Sequence, residues 1–394
     1  MTKQFLCATA LILSSAGLAP VSVSAQEAWD GSVDTEWEGS GTADSPYLIG
    51  TAAELAGLAK RTNADETFEG KYFKLTADIR MSDPAVPDDQ KPVWTPIASH
   101  SINNDDQETN PGGWYGKEHW FKGTFDGDGH TIHDLWFSGT TNFDDFDDPF
   151  GDGLIDFTAF NIALFGGLDG ATIRNLNVKG VNIGGAIVAG LAIEAHNTTF
   201  TDLYIDGHVK SGNIKDGGSA AGLVSEAYSC HFVRCESNVN VYSYSNPACL
   251  VGLLKAASTV EDCSAGGTAT GCVFVGGLVS SATAWAEGND DSVPTIRNSR
   301  SSALVTIIPG RNQGNDGGGF IGLNCGYIYN CYATGNVHVT TDSGAGFCSE
   351  NRGHIESCYA TGDVYNEEYG VSLSAFVTNN GLDAGMANII PAPS

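Results

Sequence analysis

An apolar residue recurs from about residue 170 onward, and it forms a pair with the residue three positions later, which is a Leu, a Cys or, once, a Ser. The second members follow one another at intervals of 27 to 36 residues. Most pairs are preceded by a run of small and apolar residues, such as VAGLA, AAGLV and VGGLV. The pairs are Ile173 and Leu176, Phe200 and Leu203, Phe232 and Cys235, Val260 and Cys263, Ile296 and Ser299, Ile328 and Cys331, and Ile355 and Cys358. A period of this length indicates a repeat architecture.

The residues inside each repeat indicate strands and turns. In the string CYAT, Cys358 and Ala360 would face one way and Tyr359 and Thr361 the other, as in a strand. Gly362 follows at a position where a Cβ would obstruct a corner. Gly in every unit and few helix formers exclude helical repeats. We therefore predict an all-β fold, a single-stranded, right-handed parallel β-helix solenoid. A β-propeller ranks second, because a blade needs about 40 residues.

Stacked coils would place equivalent residues about 4.8 Å apart, which is the spacing of neighbouring strands. The repeated cysteines would then stand in one internal column. The predicted column contains Leu176, Leu203, Cys235, Cys263, Cys331 and Cys358. Buried thiols behave as small apolar groups. Side chains that point in parallel seldom reach the torsion of a disulfide, so we predict reduced thiols, with disulfide stapling as the alternative.

The strings GYIYNCYATGNV and GHIESCYATGDV, each after a Gly-rich run centred on Leu or Phe, resemble the GLUG repeat. The resemblance covers about residues 160 to 380, and earlier units depart from it, with Leu176 and Ser299 in place of the cysteine. It implies an extracellular β-helical stalk or binding surface. The repeat is found in bacterial surface proteins, including adhesins and the non-catalytic regions of some immunoglobulin-cleaving proteases, and it implies no catalytic residues.

The first 25 residues have the pattern of a secretory signal peptide. Lys3 is followed by an apolar stretch and by a small-residue cleavage site that ends at Ala25. The apolar stretch is short for a transmembrane helix, and no later segment could span a bilayer. We therefore predict export to the cell surface or the medium, with the periplasm as a further possibility. Nine cysteines remain after cleavage, and their spacing shows no zinc pattern.

A helix is predicted over about residues 52–61, where Thr51 is a plausible N-cap and Glu54 completes a capping box. A solenoid needs such an element because its terminal coil exposes apolar surface. The predicted organisation is a signal peptide (1–25), an N-terminal strand and capping helix (26–70), first β-helix coils with projecting loops (71–160), and GLUG-like repeats (161–394).

Two long polar segments interrupt the first coils, one between Ile97 and Phe121 and one between Ser138 and Ile162. Loops on a rigid scaffold commonly carry function. The first loop places carboxylates beside flat aromatic side chains, which can stack on sugar faces. Its predicted binding residues are Trp114, Tyr115, Trp120, Asp105, Asp106 and Glu108.

The second loop is dense in carboxylates, the hard oxygen ligands that Ca²⁺ prefers. Its predicted calcium ligands are Asp144, Asp145, Asp147, Asp148 and Asp152. Neither loop has the EF-hand spacing, so solvated acidic loops are the alternative. A separate trio of Asp126, Asp128 and His130 is interpreted as a structural corner, because successive Asp-Gly pairs are turn residues.

The formal net charge of −28 disfavours nucleic acid and anionic membranes as partners. No nucleophile motif of the GxSxG, HExxH or SxxK type occurs. We therefore predict a non-enzymatic secreted or cell-surface protein that binds glycans or a surface protein, as an adhesin does. The alternatives are a polysaccharide lyase or glycosidase with a groove on the β-helix, and a purely structural stalk. The sequence leaves the oligomeric state open.

Overall fold

The structure is a computed structural model that describes residues 27–99, 119–138, 161–211, 219–284, 292–309, 316–340, 343–366 and 372–380. It is mostly strand (54%), and its parallel strands stack into a β-solenoid of about nine turns. One α-helix occurs among the described residues. The fold class predicted from the repeat is therefore confirmed.

The strands pair in parallel with strands of neighbouring coils and form two sheets. The smaller sheet has eight strands, Phe165–Asp169, Ala192–His196, Val224–Tyr228, Val251–Lys255, Val279–Thr283, Ile321–Asn324, Cys348–Asn351 and Val377–Asn380. The larger sheet turns around the other faces of the solenoid. Its strands are Tyr47–Ile49, Tyr72–Leu75, Ile79–Arg80, Thr124–Asp126, Thr131–His133, Trp136–Ser138, Asn161–Ile162, Thr172–Gly185, Ile187–Ala189, Thr199–Ser211, Ser219–Ala221, His231–Val233, Glu236–Ala248, Thr259–Glu261, Ser264–Val273, Val275–Gly276, Thr295–Arg297, Arg300–Ser301, Leu304–Ile307, Asp316–Gly318, Tyr327–Tyr329, Tyr332–Ala333, Val337–Val339, Ser343–Ala345, His354–Glu356, Tyr359–Ala360, Val364–Tyr365 and Ser372–Ser374.

The residues that the sequence pattern aligned lie in register on neighbouring strands. Phe200 pairs with Phe232, and Ile328 pairs with Ile355. Three residues after the first member of each of the seven pairs, a side chain points into the solenoid and is at most 5% exposed. These side chains, which we call the ladder, are Leu176, Leu203, Cys235, Cys263, Ser299, Cys331 and Cys358. The predicted internal column is therefore confirmed.

The nine cysteines of the described residues are all free thiols, as predicted. Eight are buried, and Cys325 is half-buried. Burial holds the pKa of Cys235 well above its ordinary value, and it raises the pKa of Cys249 to about 12. A nucleophilic cysteine needs a thiolate, which these buried positions disfavour. Cys235 and Cys249 are therefore core residues rather than nucleophiles.

The residue directly before each ladder position has a left-handed backbone conformation. Its φ lies between 51° and 55° in all seven coils. The seven residues are Asn175, Asp202, Arg234, Asp262, Asn298, Asn330 and Ser357. Asn and Asp tolerate this conformation better than other residues with a side chain, and they occupy five of the seven positions. This conformation turns the chain at the corner and aims the ladder side chain inward.

The glycine of the repeated CYATG string is required by close packing between coils. A Cβ at Gly362 would lie 1.9 Å from the carbonyl oxygen of Gly335. A Cβ at Gly335 would lie equally close, at 1.9 Å, to the carbonyl oxygen of Ala303. The backbones of successive coils therefore meet at this position, and the expectation for Gly362 is confirmed.

The helix spans Ala52–Thr62, one residue longer than predicted. The hydroxyl of Thr51 accepts from the Glu54 amide at 3.2 Å, and the Glu54 carboxylate accepts from the Thr51 amide at 2.9 Å. This is the predicted capping box. Leu55 and Leu58 are fully buried on the face that covers the first coil. The helix therefore packs as an N-terminal cap.

Candidate functional site

Most of the predicted site residues lie outside the described residues. Trp114, Tyr115, Asp105, Asp106 and Glu108 fall in 100–118, and Asp144, Asp145, Asp147, Asp148 and Asp152 fall in 139–160. Trp120 is described, and it is half-buried. Its indole packs edge-on against the ring of His196, with ring centroids 5.2 Å apart and an interplanar angle of 82°. One predicted residue therefore lies beside a histidine that the sequence analysis had not selected.

His196 belongs to a row of side chains that runs along the solenoid axis on the outside of the smaller sheet. It pairs in register with Tyr228 of the next coil, and Tyr228 pairs with Lys255 of the coil after that. The His196 and Tyr228 rings stack with centroids 4.6 Å apart. The Lys255 ammonium lies 4.7 Å from the centre of the Tyr228 ring. Three successive coils therefore each contribute one side chain to a continuous row.

Two carboxylates flank this row. Glu194 and Glu226 pair in register on adjacent strands, so their charges stand one strand spacing apart. Such like charges repel unless cations or donors compensate them. Here His196 Nε2 lies 2.7 Å from a Glu194 oxygen, and Lys255 Nζ donates to Glu226 at 3.2 Å. We call Trp120, Glu194, His196, Glu226, Tyr228 and Lys255 the His196 row.

Tyr228 is held in place by two hydrogen bonds as well as by stacking. Its hydroxyl donates to the Glu226 carboxylate at 2.5 Å and accepts from Lys255 Nζ at 2.9 Å. The side chains of His196, Glu226 and Lys255 are 30%, 25% and 21% exposed. These groups therefore remain accessible to a ligand, yet their neighbours fix their orientation.

An ion pair lies at the N-terminal end of the row. Asp169 pairs in register with His196, and its carboxylate accepts from Lys122 Nζ at 2.6 Å. Partial burial disfavours the charged form of Asp169, but hydrogen bonds from Lys122 and Asn197 outweigh it and hold the pKa of Asp169 below its ordinary value. The same hydrogen bond raises the pKa of Lys122. This end of the row therefore presents a fixed pair of charges.

Chemically, the His196 row combines aromatic rings, carboxylates and an ammonium at regular intervals. Carboxylates accept hydrogen bonds from hydroxyl groups, and Lys255 can donate them. Successive groups are separated by about 4.8 Å, the distance between neighbouring strands. Within the described ranges, no group of three or more His, Cys, Asp or Glu side chains is arranged to hold a metal ion.

The predicted corner at Asp126, Asp128 and His130 is occupied by structural contacts. Asp126 accepts from the Asp128 amide at 2.9 Å and from Arg174 Nε at 2.9 Å. Asp128 pairs with a lysine, Lys74, at 2.8 Å. His130 points to a different residue, Asp78, at 3.3 Å. The three side chains thus contact separate partners, as the structural interpretation requires.

A pattern in the sequence indicates the His196 row, although Trp120 is its only predicted member. The strings AGLAIEAH and AGLVSEAY end at His196 and Tyr228, and each has a glutamate two residues before its end. The two strings are offset by 32 residues, as are the ladder residues Leu203 and Cys235. Because the outward-facing residues repeat at the same interval as the ladder residues, aligning the two strings predicts that His196 and Tyr228 lie side by side.

The chain matches no protein-family model. It is 28% identical over 184 residues to halomucin from Haloquadratum walsbyi (strain DSM 16790 / HBSQ001). That alignment covers 46% of this chain and 2% of halomucin. A crystal structure described as a candidate immunoglobulin A1 protease from Bacteroides ovatus is similar with a TM-score of 0.41 and 17% identity, over 87% of this chain and 84% of that one.

Within the part of the chain that the structure describes, no helix has the length and apolar character needed to cross a bilayer.

Proposed function

We propose that this protein is an exported β-helix protein of the cell surface that binds glycans and thereby mediates adhesion. The solenoid and the partial similarity to halomucin fit a surface repeat protein. The proposal includes removal of residues 1–25 on export and the resemblance of the C-terminal coils to the GLUG repeat. In this proposal the His196 row is a glycan-binding surface.

The observation that carries the proposal is the line of polar and aromatic side chains that successive coils contribute at one position of the His196 row. His196, Tyr228 and Lys255 follow one another in register along the solenoid axis. Strand spacing sets their interval at about 4.8 Å, which is similar to the length of one pyranose residue in an extended chain. A glycan that lies along the axis would therefore meet one such group per sugar.

The contacts within the row favour binding over catalysis. The Glu226 carboxylate already accepts from Tyr228 and Lys255, and Glu194 lies against His196. A general acid or base must be free to exchange a proton with the substrate. Groups that are fixed by neighbours are suited to orienting hydroxyls. Trp120 at the edge of the row offers an apolar surface to a sugar ring.

The two long loops that interrupt the first coils extend the proposed contact surface. Trp120 belongs to the first of them and is the only predicted loop residue among the described ones. Trp114 and Tyr115 are close to Trp120 in sequence, so we propose that they contact the same glycan. Calcium bound by the aspartates of the second loop would order that loop.

A glycan array with the purified protein lacking residues 1–25 tests this proposal. We expect binding to one glycan class and a loss of affinity of about tenfold, or ~1.4 kcal/mol, for each of Trp120→Ala, His196→Ala and Tyr228→Ala. His208→Ala is the matched control for His196→Ala, because His208 is exposed on a different face of the same coil. Absence of binding to any glycan, or binding that is unaffected by these changes, would refute the proposal.

A reducing-sugar release assay on the same glycans separates binding from hydrolysis and lysis. We expect no turnover. Turnover that is abolished by Glu194→Gln or Glu226→Gln would establish the glycosidase or lyase alternative instead. Turnover that survives both changes would point to a contaminant.

A further inference from the structure

Each carboxylate along the His196 row already has a partner within the protein. At the N-terminal end of the row, Lys122 Nζ donates to Asp169 at 2.6 Å. One coil further, Glu194 lies 2.7 Å from the imidazole of His196. These four side chains are between 30% and 32% exposed, so a ligand can reach them. The first two carboxylates are therefore accessible groups that are already paired.

The third carboxylate, that of Glu226, has two partners. It accepts from the Tyr228 hydroxyl at 2.5 Å and from Lys255 Nζ at 3.2 Å. The Lys255 ammonium also lies 4.7 Å from the centre of the Tyr228 ring, so the ring and the carboxylate share one cation. The Glu226 and Lys255 side chains are 25% and 21% exposed. Separating this ion pair would therefore leave two incompletely solvated charges.

The charges along the row nearly cancel. Two lysine ammonium groups pair with two of the three carboxylates, so the formal sum is −1 when His196 is neutral and zero when it is protonated. The whole chain carries a formal net charge of −28. The row is therefore a surface of almost balanced charge on a strongly acidic protein.

An anionic ligand would meet no unpaired cation among the described residues of the row. Lys122 and Lys255 each donate to a carboxylate, and a ligand carboxylate could approach either lysine only by displacing that group or by lying beside it. Displacement leaves a partly buried carboxylate without its cation, and close approach places two like charges side by side. The net charge of the chain adds a long-range repulsion. Glycans that contain acidic sugars are therefore disfavoured.

A cationic ligand would meet the converse obstacle. The acidic chain attracts it from a distance, but the carboxylates of Glu226 and Asp169 already hold lysine ammonium groups. A ligand ammonium at either carboxylate would lie next to a lysine that repels it. At Glu194 it would have to replace His196, whose ring is fixed by stacking on Tyr228. Amino sugars are therefore disfavoured as well.

Hydroxyl groups avoid both obstacles. A carboxylate that accepts from one donor retains lone pairs for another, and a lysine ammonium has more than one N–H to donate. A sugar hydroxyl can therefore donate to Glu194 or Glu226, or accept from Lys255, while every ion pair stays in place. The row thus offers hydrogen bonds to an uncharged sugar without separating any charges.

We infer that the His196 row binds uncharged glycans in preference to both acidic glycans and amino sugars. This specificity rests on the proposed glycan binding by the same row. The ion pairs of the row set the specificity, because each of them makes a charge unavailable to a charged ligand. Discrimination of this kind comes from unfavourable contacts with the wrong ligand.

Titration calorimetry of the protein lacking residues 1–25 with matched hexasaccharides tests this specificity. The probes are the β-1,4-linked hexasaccharides of glucose, mannose and galactose, the same compounds oxidised to the carboxylate at C6, and the hexasaccharide of glucosamine. The strongest binder of the glycan array is added to them. We expect at least one neutral probe to bind, and the oxidised and glucosamine probes to bind at least about tenfold more weakly.

The outcomes separate this specificity from the proposed function. An acidic or amino probe that binds as tightly as the best neutral one would overturn the specificity and leave glycan binding intact. Absence of binding to every probe would overturn both.

Two single substitutions should shift the preference in opposite directions. Glu226→Gln keeps an acceptor for the Tyr228 hydroxyl but leaves Lys255 without its ion pair, so the ratio of affinities for oxidised over neutral probes should rise about tenfold. Lys255→Gln leaves Glu226 without its cation, so the ratio for glucosamine over neutral probes should rise about tenfold instead. A ratio is unaffected by a general loss of affinity, and melting curves establish that both variants are folded.

Glu350→Gln is the matched control. Glu350 occupies the position equivalent to Glu226 on the smaller sheet, four coils further along, and its carboxylate accepts from Arg352 at 2.7 Å. The control therefore removes the same charge from the chain and leaves a cation without its ion pair, but away from the row. Both ratios should stay as in the wild type. Ratios that do not change in Glu226→Gln and Lys255→Gln, or that change equally in the control, would overturn the inference.

Discussion

The backbone amide of Cys331 donates a hydrogen bond to the thiol sulfur of Cys358 across 3.3 Å. The Cys235 amide donates in the same way to the sulfur of Cys263, and the Cys263 amide donates to the hydroxyl of Ser299 at 3.1 Å. Each of these ladder side chains therefore fills the core and also accepts a hydrogen bond from the preceding coil. A buried amide without an acceptor would be costly, so a small side chain with an acceptor atom recurs here.

Cys331→Asp should destabilise the solenoid by about 3 kcal/mol or more, because it buries a carboxylate without a cationic partner. The position is 1% exposed. Cys331→Ser is the control, since its hydroxyl can accept from the Ser299 amide as the sulfur does at 3.4 Å. Thermal melting measures both variants. Equal melting temperatures for Cys331→Asp and wild type would contradict the ladder.

Stability should fall in alkaline solution because of the buried thiols. Burial raises the pKa of Cys249 from 9.0 to about 12. Below pH 9 the thiol is neutral in both states. Between the two values the unfolded chain loses the proton while the folded chain keeps it, so stability decreases as pH rises. Cys249→Ala should reduce this decrease by up to about 1.4 kcal/mol per pH unit. Melting temperatures across this window that change equally with pH in both proteins would argue against it.

Ser357→Asn should stabilise the protein by about 0.5–1 kcal/mol. Ser357 is exposed and has φ of 55°, and Asn tolerates this conformation better than Ser does. Ser357→Val should cost about 1–2 kcal/mol, because a β-branched side chain is disfavoured there. Chemical denaturation ranks the three proteins. A valine variant as stable as the asparagine variant would show that the corner does not constrain this residue.

Ca²⁺ should raise the melting temperature if the second loop binds it, as any ligand selective for the folded state does. Replacing Asp145, Asp147 and Asp148 by Asn should remove this gain. Mg²⁺ at the same concentration is the control for ionic strength. A melting curve that does not respond to Ca²⁺ would contradict the predicted calcium site, whose residues lie outside the described ones.

The side chains that point into the solenoid could be predicted because similar residue types recur at equivalent positions of successive coils. Ile328 and Cys331 recur as Ile355 and Cys358, so the period alone fixed which residues stack. Gly362 was predicted at a corner that a Cβ would obstruct, and in the structure the obstructing group is the carbonyl oxygen of Gly335 on the preceding coil. The left-handed corners were not predicted, because Asn and Asp are common in every kind of turn. Arg234 and Ser357 gave no indication of that conformation at all.

The side chains on the outside of the solenoid were harder to predict because the residue type at equivalent positions changes from coil to coil. His196 is followed one coil later by Tyr228 and then by Lys255, so no residue type repeats. Only their register relates them, and register becomes visible once the coils are stacked. Trp120 was selected as an exposed aromatic residue of a loop. Its contact with His196 joins residues 76 positions apart, which no local pattern could indicate.

Cys263 and Ser299 are neighbours in the ladder although 36 residues separate them, whereas Cys331 and Cys358 are neighbours across 27. The additional residues of the longer unit come between strands Val279–Thr283 and Thr295–Arg297, and both strands keep their register. Insertions and deletions at this point therefore change the segment between the two strands without changing how the strands stack. Such a scaffold can diversify its surface quickly under selection, and it could carry a grafted foreign peptide at the same place.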